Sequence, residues 1–263
     1  MQPLPLSRSD AMTFEEIINS HERIALQFSG GRDSLALLLA MRPYWNRIAV
    51  YYTNSGDAYP ETHALIDSVK QVVPHFVEVE GRVKAVHAQI GWPSDVMQPG
   101  SGFQFAKENI DGYVPLIDRH NCCFHSIMVP MHERMKADGI TLLIRGQRDE
   151  DTTKSHVRSG DVIEGIQLLF PIAHWTTAQV EQCITDHGIP LPPYYGEGLT
   201  SAPDCMRCTA WLEHGAHKYL MKHHPNVASE VNERLKKIRV VVEPFIKRLN
   251  DVQETLNGKQ LVR

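Results

Sequence analysis

Apolar and polar positions along the chain fall into short unbroken apolar runs separated by segments of helical period. Arg23 to Phe28 (RIALQF) reads as a buried strand, and Asp33 to Arg42 (DSLALLLAMR) has the length and leucine content of a helix that Pro43 ends. Arg47 to Tyr52 (RIAVYY) predicts a second strand, Pro60 suits the first turn of a helix reaching about Val72, and His75 to Val79 predicts a third strand. Ile140 to Gly146 and Ile166 to Ile172 predict the fourth and fifth. A helix is expected over Cys122 to Asp138, and another over His174 to Gly188, capped by Thr176 or Thr177 and closed by Gly188. From Val227 to about Leu256, the spacing of Val231, Leu235, Ile238, Val242, Phe245, Ile246 and Leu249 marks an amphipathic helix, bent or broken at Pro244. Gly91 to Arg119 has no period; a loop that long inside a domain is usually functional or mobile.

Strands alternating with helices predict an α/β fold: a Rossmann-like, open, mostly parallel five-stranded sheet with helices on both faces and a C-terminal helical extension. The expected division is one domain over residues 1–225 and an extension over 226–263. In such sheets ligands meet the carboxyl ends of the strands. Composition narrows this little. A hydrophobic content of 42%, a charged content of 22% and a formal net charge of −4 give no general nucleic-acid or membrane signal. No apolar run approaches the roughly 18 residues of a membrane helix, and the N-terminus has no signal-peptide pattern, so a cytoplasmic protein is expected.

At the carboxyl end of the first strand stand Ser29, Gly30, Gly31, Arg32, Asp33 and Ser34. Two glycines let the backbone turn tightly and approach a phosphate. The two serines can donate hydroxyls, and the free N–H groups of a helix start favour an anion. Asp33 fits a helix cap or a metal-assisted role better than a phosphate contact. Neither a P-loop ending in Gly-Lys-Ser/Thr nor a GxGxxG pattern is present. Gly146 and Arg148 follow the fourth strand and face the same crevice if the two strands are neighbours. A guanidinium there can clamp phosphate or sulfate oxygens, or pair with Asp149, Glu150 or Asp151.

Strand, SGGRDS and helix together resemble the PP-loop of adenine-nucleotide α-hydrolase-like families. YYTNSGDAYPET, IRGQRDEDTTKS and the PIAHWTT…PPYYGEG region resemble, in order, elements of the phosphoadenosine-phosphosulfate (PAPS) reductase family. The resemblance spans roughly residues 20 to 215 and implies an enzyme. It implies an adenine nucleotide (ATP, or APS/PAPS), with Thr53, Asn54, Ser55 and Gly56 near the adenosine or serving only as a turn.

Cys122-Cys123 and the Cys205-Met206-Arg207-Cys208 CxxC form a second constellation. Zinc, iron–sulfur and redox sites all use CxxC. Helix neighbours point about 100° apart, which is awkward for one zinc ion and easier for two corners of a cubane. The pattern resembles the [4Fe–4S] site of APS reductases. His125, His214 and His217 keep a mixed Cys/His zinc site open, and Cys183 reads as a small buried hydrophobe.

The chain also departs from the reductases. Their C-terminal Glu-Cys-Gly-x-His nucleophile has no counterpart, since no cysteine follows Cys208. CCFHSIMVP lacks the Arg and Lys that follow the cysteine pair in that family, and a full SGGRDS is more usual in enzymes that cleave ATP to AMP and pyrophosphate. The expected function is therefore adenylation with Mg²⁺, coupled to sulfur transfer of the phosphorothioation or tRNA-thiolation kind. Asp33, Arg148 and Lys154 are the candidate catalytic residues, with a sulfur-donor protein and a nucleic-acid acceptor as partners. The alternatives are sulfonucleotide reduction completed by a partner's thiol, and a non-catalytic nucleotide-binding module. The C-terminal helix, mixing Arg234, Lys236, Lys237, Arg239, Lys247 and Arg248 with glutamates, suits a solvated face, a nucleic-acid stripe or a homodimer contact.

Overall fold

The computed structural model describes residues 13–98, 113–151 and 157–257. In chain order these contain α1 (Phe14–Ser20), β1 (Ile24–Gln27), α2 (Arg32–Ala40), β2 (Ile48–Asn54), α3 (Pro60–Val72) and β3 (Phe76–Glu80). Then come α4 (Val83–Gln89), β4 (Trp92–Ser94), β5 (Leu116–Asp118), α5 (Arg119–Cys123), a π-helical turn (Phe124–Met128), α6 (Val129–Ala137) and β6 (Leu142–Ile144). Last are β7 (Val162–Ile163), β8 (Ile166–Leu169), α7 (Thr177–Asp186), α8 (Ala216–His223) and α9 (Pro225–Leu256). The chain forms two compact units, Met1–Gly81 with Met128–Asp204, and Arg82–Ile127 with Cys205–Arg263.

The first unit is built on a six-stranded sheet of order β3-β2-β1-β6-β8-β7, parallel except for β7 against β8. The expected sheet has five strands; the sixth is the two-residue Val162–Ile163, exposed on both residues and too short and too solvated to leave a hydrophobic pattern. Alternation along the strands sorts their side chains onto two faces. Ile24, Leu26, Val50, Leu142 and Ile144 pack with α2, α3 and α7 on one face, where Val180 and Ile184 complete the cluster. Ala25, Tyr51, Leu143, Leu168 and Phe170 face Met131 and Met135 of α6 on the other. Both faces are covered, which is why these strands read as continuous apolar runs.

The order matters for the site. β1 crosses to β2 while β6 lies on its other side, so the carboxyl ends of β1 and β6 flank the point where strand order reverses, the usual ligand crevice of such sheets.

In the second unit, β4 and β5 pair in parallel, Trp92 with Leu116. Leu116 packs on Ile238, Val241 and Val242 of α9. Three-residue strands carry no readable period, so a segment expected as loop holds a small sheet at its two ends; residues 99–112 lie outside those described. A carbon added at Gly91 would fall 2.3 Å from the Pro115 carbonyl carbon, so this approach of backbones requires glycine.

The helix expected over Cys122 to Asp138 is instead α5, a π-turn and α6, the last opened by Pro130 in its first turn. Pro244 does not break α9, which runs unbroken through it. A proline removes one helical hydrogen bond, and a helix of 32 residues anchored by Val231, Ile238, Val241 and Val242 retains the rest.

Leu26 is fully buried while Leu249 is 68% exposed. Leu26→Ala is expected to cost about 2–5 kcal/mol in urea unfolding followed by circular dichroism, and Leu249→Ala less than about 0.5 kcal/mol. Equal effects at the two positions would contradict this placement of the core.

Candidate active site

The phosphate-sized turn forms where β1 hands over to α2. Gly30 adopts φ +76°, and a carbon there would sit 2.9 Å from Thr62 Cγ2, so both conformation and space demand glycine. Ser29 and Ser34 converge, with Oγ atoms 3.1 Å apart; the Ser34 hydroxyl reaches the Gly31 carbonyl at 2.9 Å and accepts from the Ser29 N–H at 3.2 Å. Gly31 is the N-cap of α2 and offers no side chain of its own to cap the helix, so N–H groups of the first turn beyond Arg32 keep the polarity that attracts an anion.

Two tyrosines brace this turn from the segment after α7. Tyr195 Oη accepts the Arg32 N–H at 2.8 Å, and its ring lies 5.5 Å from the Arg32 guanidinium carbon. Burial pushes the Tyr195 hydroxyl up to about 12, so it stays protonated. Tyr194 Oη is 3.1 Å from Thr62 Oγ1, on the helix that packs under Gly30. The Arg32 side chain turns away from the loop to Glu181 at 2.8 Å.

Asp33 does not cap the helix. Its Oδ1 is 2.9 Å from Arg148 Nε. Neither atom has a well-directed hydrogen-bond partner, so the pair is held by charge and proximity. Burial raises the Asp33 pKa, while the Arg148 and Arg32 guanidiniums pull it back. Arg148 is 6% exposed, and protein groups surround its guanidinium. Nη1 donates to Glu150 Oε2 and to the Trp175 carbonyl, each at 3.0 Å, and Nη2 lies 3.4 Å from Thr177 Oγ1. Glu150 also accepts the Thr177 N–H at 2.9 Å, and these Thr177 bonds lower its pKa. Arg148 therefore ties the first turn of α2 to the end of β6 and the start of α7. Gly146 lets these segments meet, since a carbon there would lie 3.1 Å from the Asp33 carbonyl oxygen.

Of the residues expected near an adenosine, Thr53 and Ser55 are buried at the end of β2, and Ser55 Oγ donates to the Asp204 carbonyl at 2.9 Å. Asn54 makes a turn: its Oδ1 accepts the Gly56 N–H at 2.9 Å, with Gly56 at φ +74°, and its Nδ2 donates to Glu78. Lys154 lies outside the described residues.

Cys122, Cys123, Cys205 and Cys208 all belong to the second unit. Cys122 is buried, with Sγ 3.5 Å from His87 Nε2 and 3.9 Å from Ser126 Oγ, and burial raises its thiol pKa. Cys208 Sγ is 3.8 Å from the Ala210 carbonyl, and His217 Nε2 is 3.2 Å from the Cys208 carbonyl. Among the described residues no three His, Cys, Asp or Glu side chains stand together as a metal site. As placed, the thiols do not form the expected four-thiolate set, and no chemistry is derived through a cluster. Cys183, in the first unit, packs at the α2–α7 interface with Sγ 3.8 Å from the Ala36 carbonyl; burial raises its pKa.

The pairing of Arg148 with Glu150 is among the expected alternatives. Thr177, Tyr194 and Tyr195 escaped the sequence reading as brace residues, because nothing in linear order joins the TT and YY pairs to the loop.

Known proteins are similar to this chain over most of its length. The chain matches the phosphoadenosine phosphosulfate reductase domain family over residues 23–211. It is 25% identical over 205 residues to a phosphoadenosine 5'-phosphosulfate reductase of Proteus mirabilis, covering 76% of this chain and 78% of that one. It is 23% identical over 213 residues to an adenosine 5'-phosphosulfate reductase of Burkholderia cepacia, covering 80% and 78%. A phosphoadenylyl-sulfate reductase structure from Candida auris superposes with a TM-score of 0.49 at 15% identity, covering 75% of this chain and 98% of that chain.

Removing one member of a buried ion pair strands the other, so Arg148→Met is expected to lower unfolding stability by about 3 kcal/mol. Adding Asp33→Asn should recover part of that loss. Simple additivity of the two losses in a double-mutant cycle would show that the residues do not act as a pair.

Proposed function

We propose that this chain, which belongs to the phosphoadenosine phosphosulfate reductase domain family, cleaves ATP between its α- and β-phosphates to activate an acceptor for sulfur transfer. The family membership itself establishes an enzyme acting on nucleotides in sulfur chemistry. One observation carries the finer reading. The turn is a full Ser-Gly-Gly-Arg-Asp-Ser, the form more usual in enzymes that cleave ATP to AMP and pyrophosphate, with its two serine hydroxyls converging at a helix start whose N-cap, Gly31, carries no side chain.

In this mechanism the substrate is the magnesium salt of ATP. Ser29, Ser34 and the N–H groups of the first turn of α2 that follow Arg32, whose own N–H is taken by Tyr195, hold the leaving pyrophosphate and keep it oriented. An acceptor oxygen attacks the α-phosphorus, the α–β bridging P–O bond breaks with its electron pair leaving on pyrophosphate, and AMP remains on the acceptor. A sulfur nucleophile from a donor protein then displaces AMP. Asp33 keeps Arg148 in place, and the two together fix the helix start from which the loop's N–H groups point.

Thiol chemistry supports this choice. Residues 209–263 contain no cysteine, and most of their described part lies in α8 and α9. Cys183, the cysteine of the loop's own unit, is held in packing with its pKa raised, which disfavours a thiolate nucleophile. The second reading is reduction of APS or PAPS to sulfite with a thiol supplied by a partner protein. It is favoured by the named activities of the bacterial relatives. The four thiols of the second unit are proposed to take up a [4Fe–4S] cluster, or zinc, only by moving from the positions described. Their softness and shared unit support this. No helix among the described residues is long and apolar enough to cross a membrane.

Parallel assays on the purified full chain separate the readings. Pyrophosphate release from ATP, without sulfite from APS or PAPS in the presence of dithiothreitol and thioredoxin, is the expected result. Sulfite release would overturn the ATP reading, and binding of nucleotide with neither product would favour a non-catalytic module. For the thiols, anaerobic purification should yield iron and sulfide. Zinc alone or no bound metal would remove the cluster.

A further inference from the structure

Three arginines of the first unit lie at the carboxyl ends of the central strands, and they differ in what holds them. Arg32 is paired with Glu181, and Arg148 with Asp33 and Glu150. Arg145 is the first residue past β6. Its backbone still belongs to the sheet, the N–H donating to the Leu169 carbonyl at 2.9 Å, and its side chain is partly buried. Among the described residues, no carboxylate, carbonyl or hydroxyl is placed against its guanidinium. Burial lowers its pKa, and no acid raises it again.

Its neighbour across the sheet is in the same condition. Ala25 of β1 pairs with Leu143 of β6, and both contribute to the cluster facing α6. Two residues further along each strand, on that same face, stand Gln27 and Arg145. The Gln27 side chain also has no partner among the described residues. These two positions are the carboxyl ends of the strands that flank the reversal of strand order. The residue after Arg145 is Gly146, which packs against the Asp33 and Ser34 backbone. The residue that precedes Gly146, at the carboxyl end of β6, thus carries a guanidinium with no counter-charge among the described residues.

A partly buried, unpaired cation costs stability, whereas an oxyanion arriving there gains charge-assisted hydrogen bonds. Arg148, by contrast, has its Nη donors directed at Glu150, Thr177 and the Trp175 carbonyl and its Nε set against the Asp33 carboxylate. We propose that Arg145, with Gln27 beside it, contacts the phosphate chain of the bound nucleotide, and that Arg148 is a positioning residue for the loop. This rests on the loop binding a nucleotide and is independent of whether that nucleotide is ATP or a sulfonucleotide.

The test compares full-length wild type, Arg145→Met and Arg145→Lys in equilibrium binding of ATP, APS and adenosine, with thermal melting in the absence of nucleotide. Arg145→Met is expected to weaken the bound nucleotide by about tenfold or more while adenosine changes less than about twofold, and Arg145→Lys should recover part of the loss. Without nucleotide, Arg145→Met should melt at or above the wild type, because an uncompensated cation has been removed. A purely structural arginine would lower the melting temperature and weaken all three ligands alike, which would overturn the proposal. So would unchanged ATP and APS binding. If APS alone shows the Arg145 dependence and sulfite forms, the residue assignment stands and the ATP reaction falls. If ATP is turned over with unchanged affinity in Arg145→Met, the reaction stands and the assignment falls. A wild type that binds neither nucleotide overturns both.

Discussion

The ion pair between Arg148 and Asp33 is the constraint on which the site depends. It joins segments far apart in sequence: the first turn of α2, the loop after β6, and, through Glu150 and Thr177, the start of α7. A buried guanidinium must find counter-charge and acceptors, and each one it finds here belongs to an element bordering the phosphate turn. The geometry of that turn is therefore set from outside as well as by its glycines. An enzyme that works by positioning a polyphosphate needs such rigidity, because a displacement of an ångström at the reacting phosphorus costs orders of magnitude in rate.

Charge is divided among the neighbouring arginines according to their surroundings. Arg32 is committed to Glu181 at the surface and Arg148 to the interior, whereas Arg145 is partly withdrawn from water without a counter-ion among the described residues. A protein that kept Arg145 only for folding would gain by replacing it with an apolar residue of similar length. Retaining a cation without a partner among the described residues at the carboxyl end of β6 makes physical sense when a ligand completes the pair.

Much of this was legible from the order of residues. The apolar runs located the central parallel strands because strands covered on both faces have no polar side to show, and the two glycines between RIALQF and DSLALLLAMR located the turn. What escaped has identifiable reasons. Val162–Ile163 and the paired β4 and β5 are two or three residues long, below the length at which periodicity exists. Pro244 suggested a break that a well-anchored 32-residue helix does not make. Arg148 could be read as a ligand clamp or as a salt bridge with its neighbours; it does pair with Glu150, but linear order could not reveal that it also pairs with Asp33, inside the loop itself. Arg145 stands beside the more familiar Gly-x-Arg spacing, and a residue whose side chain has no partner among the described residues leaves no pattern in a sequence. The cysteine pairs suggested a shared metal site, yet the described side chains do not converge on one.

The central claim is that the turn and its arginines direct attack to the α-phosphorus of ATP. It is tested most directly by turnover of ATP in H₂¹⁸O, with water standing in for the acceptor and products read by mass spectrometry. The account predicts AMP carrying the label on its phosphate, together with unlabelled pyrophosphate. Label in pyrophosphate, or ADP with labelled inorganic phosphate, would place the attack at another phosphorus and contradict it.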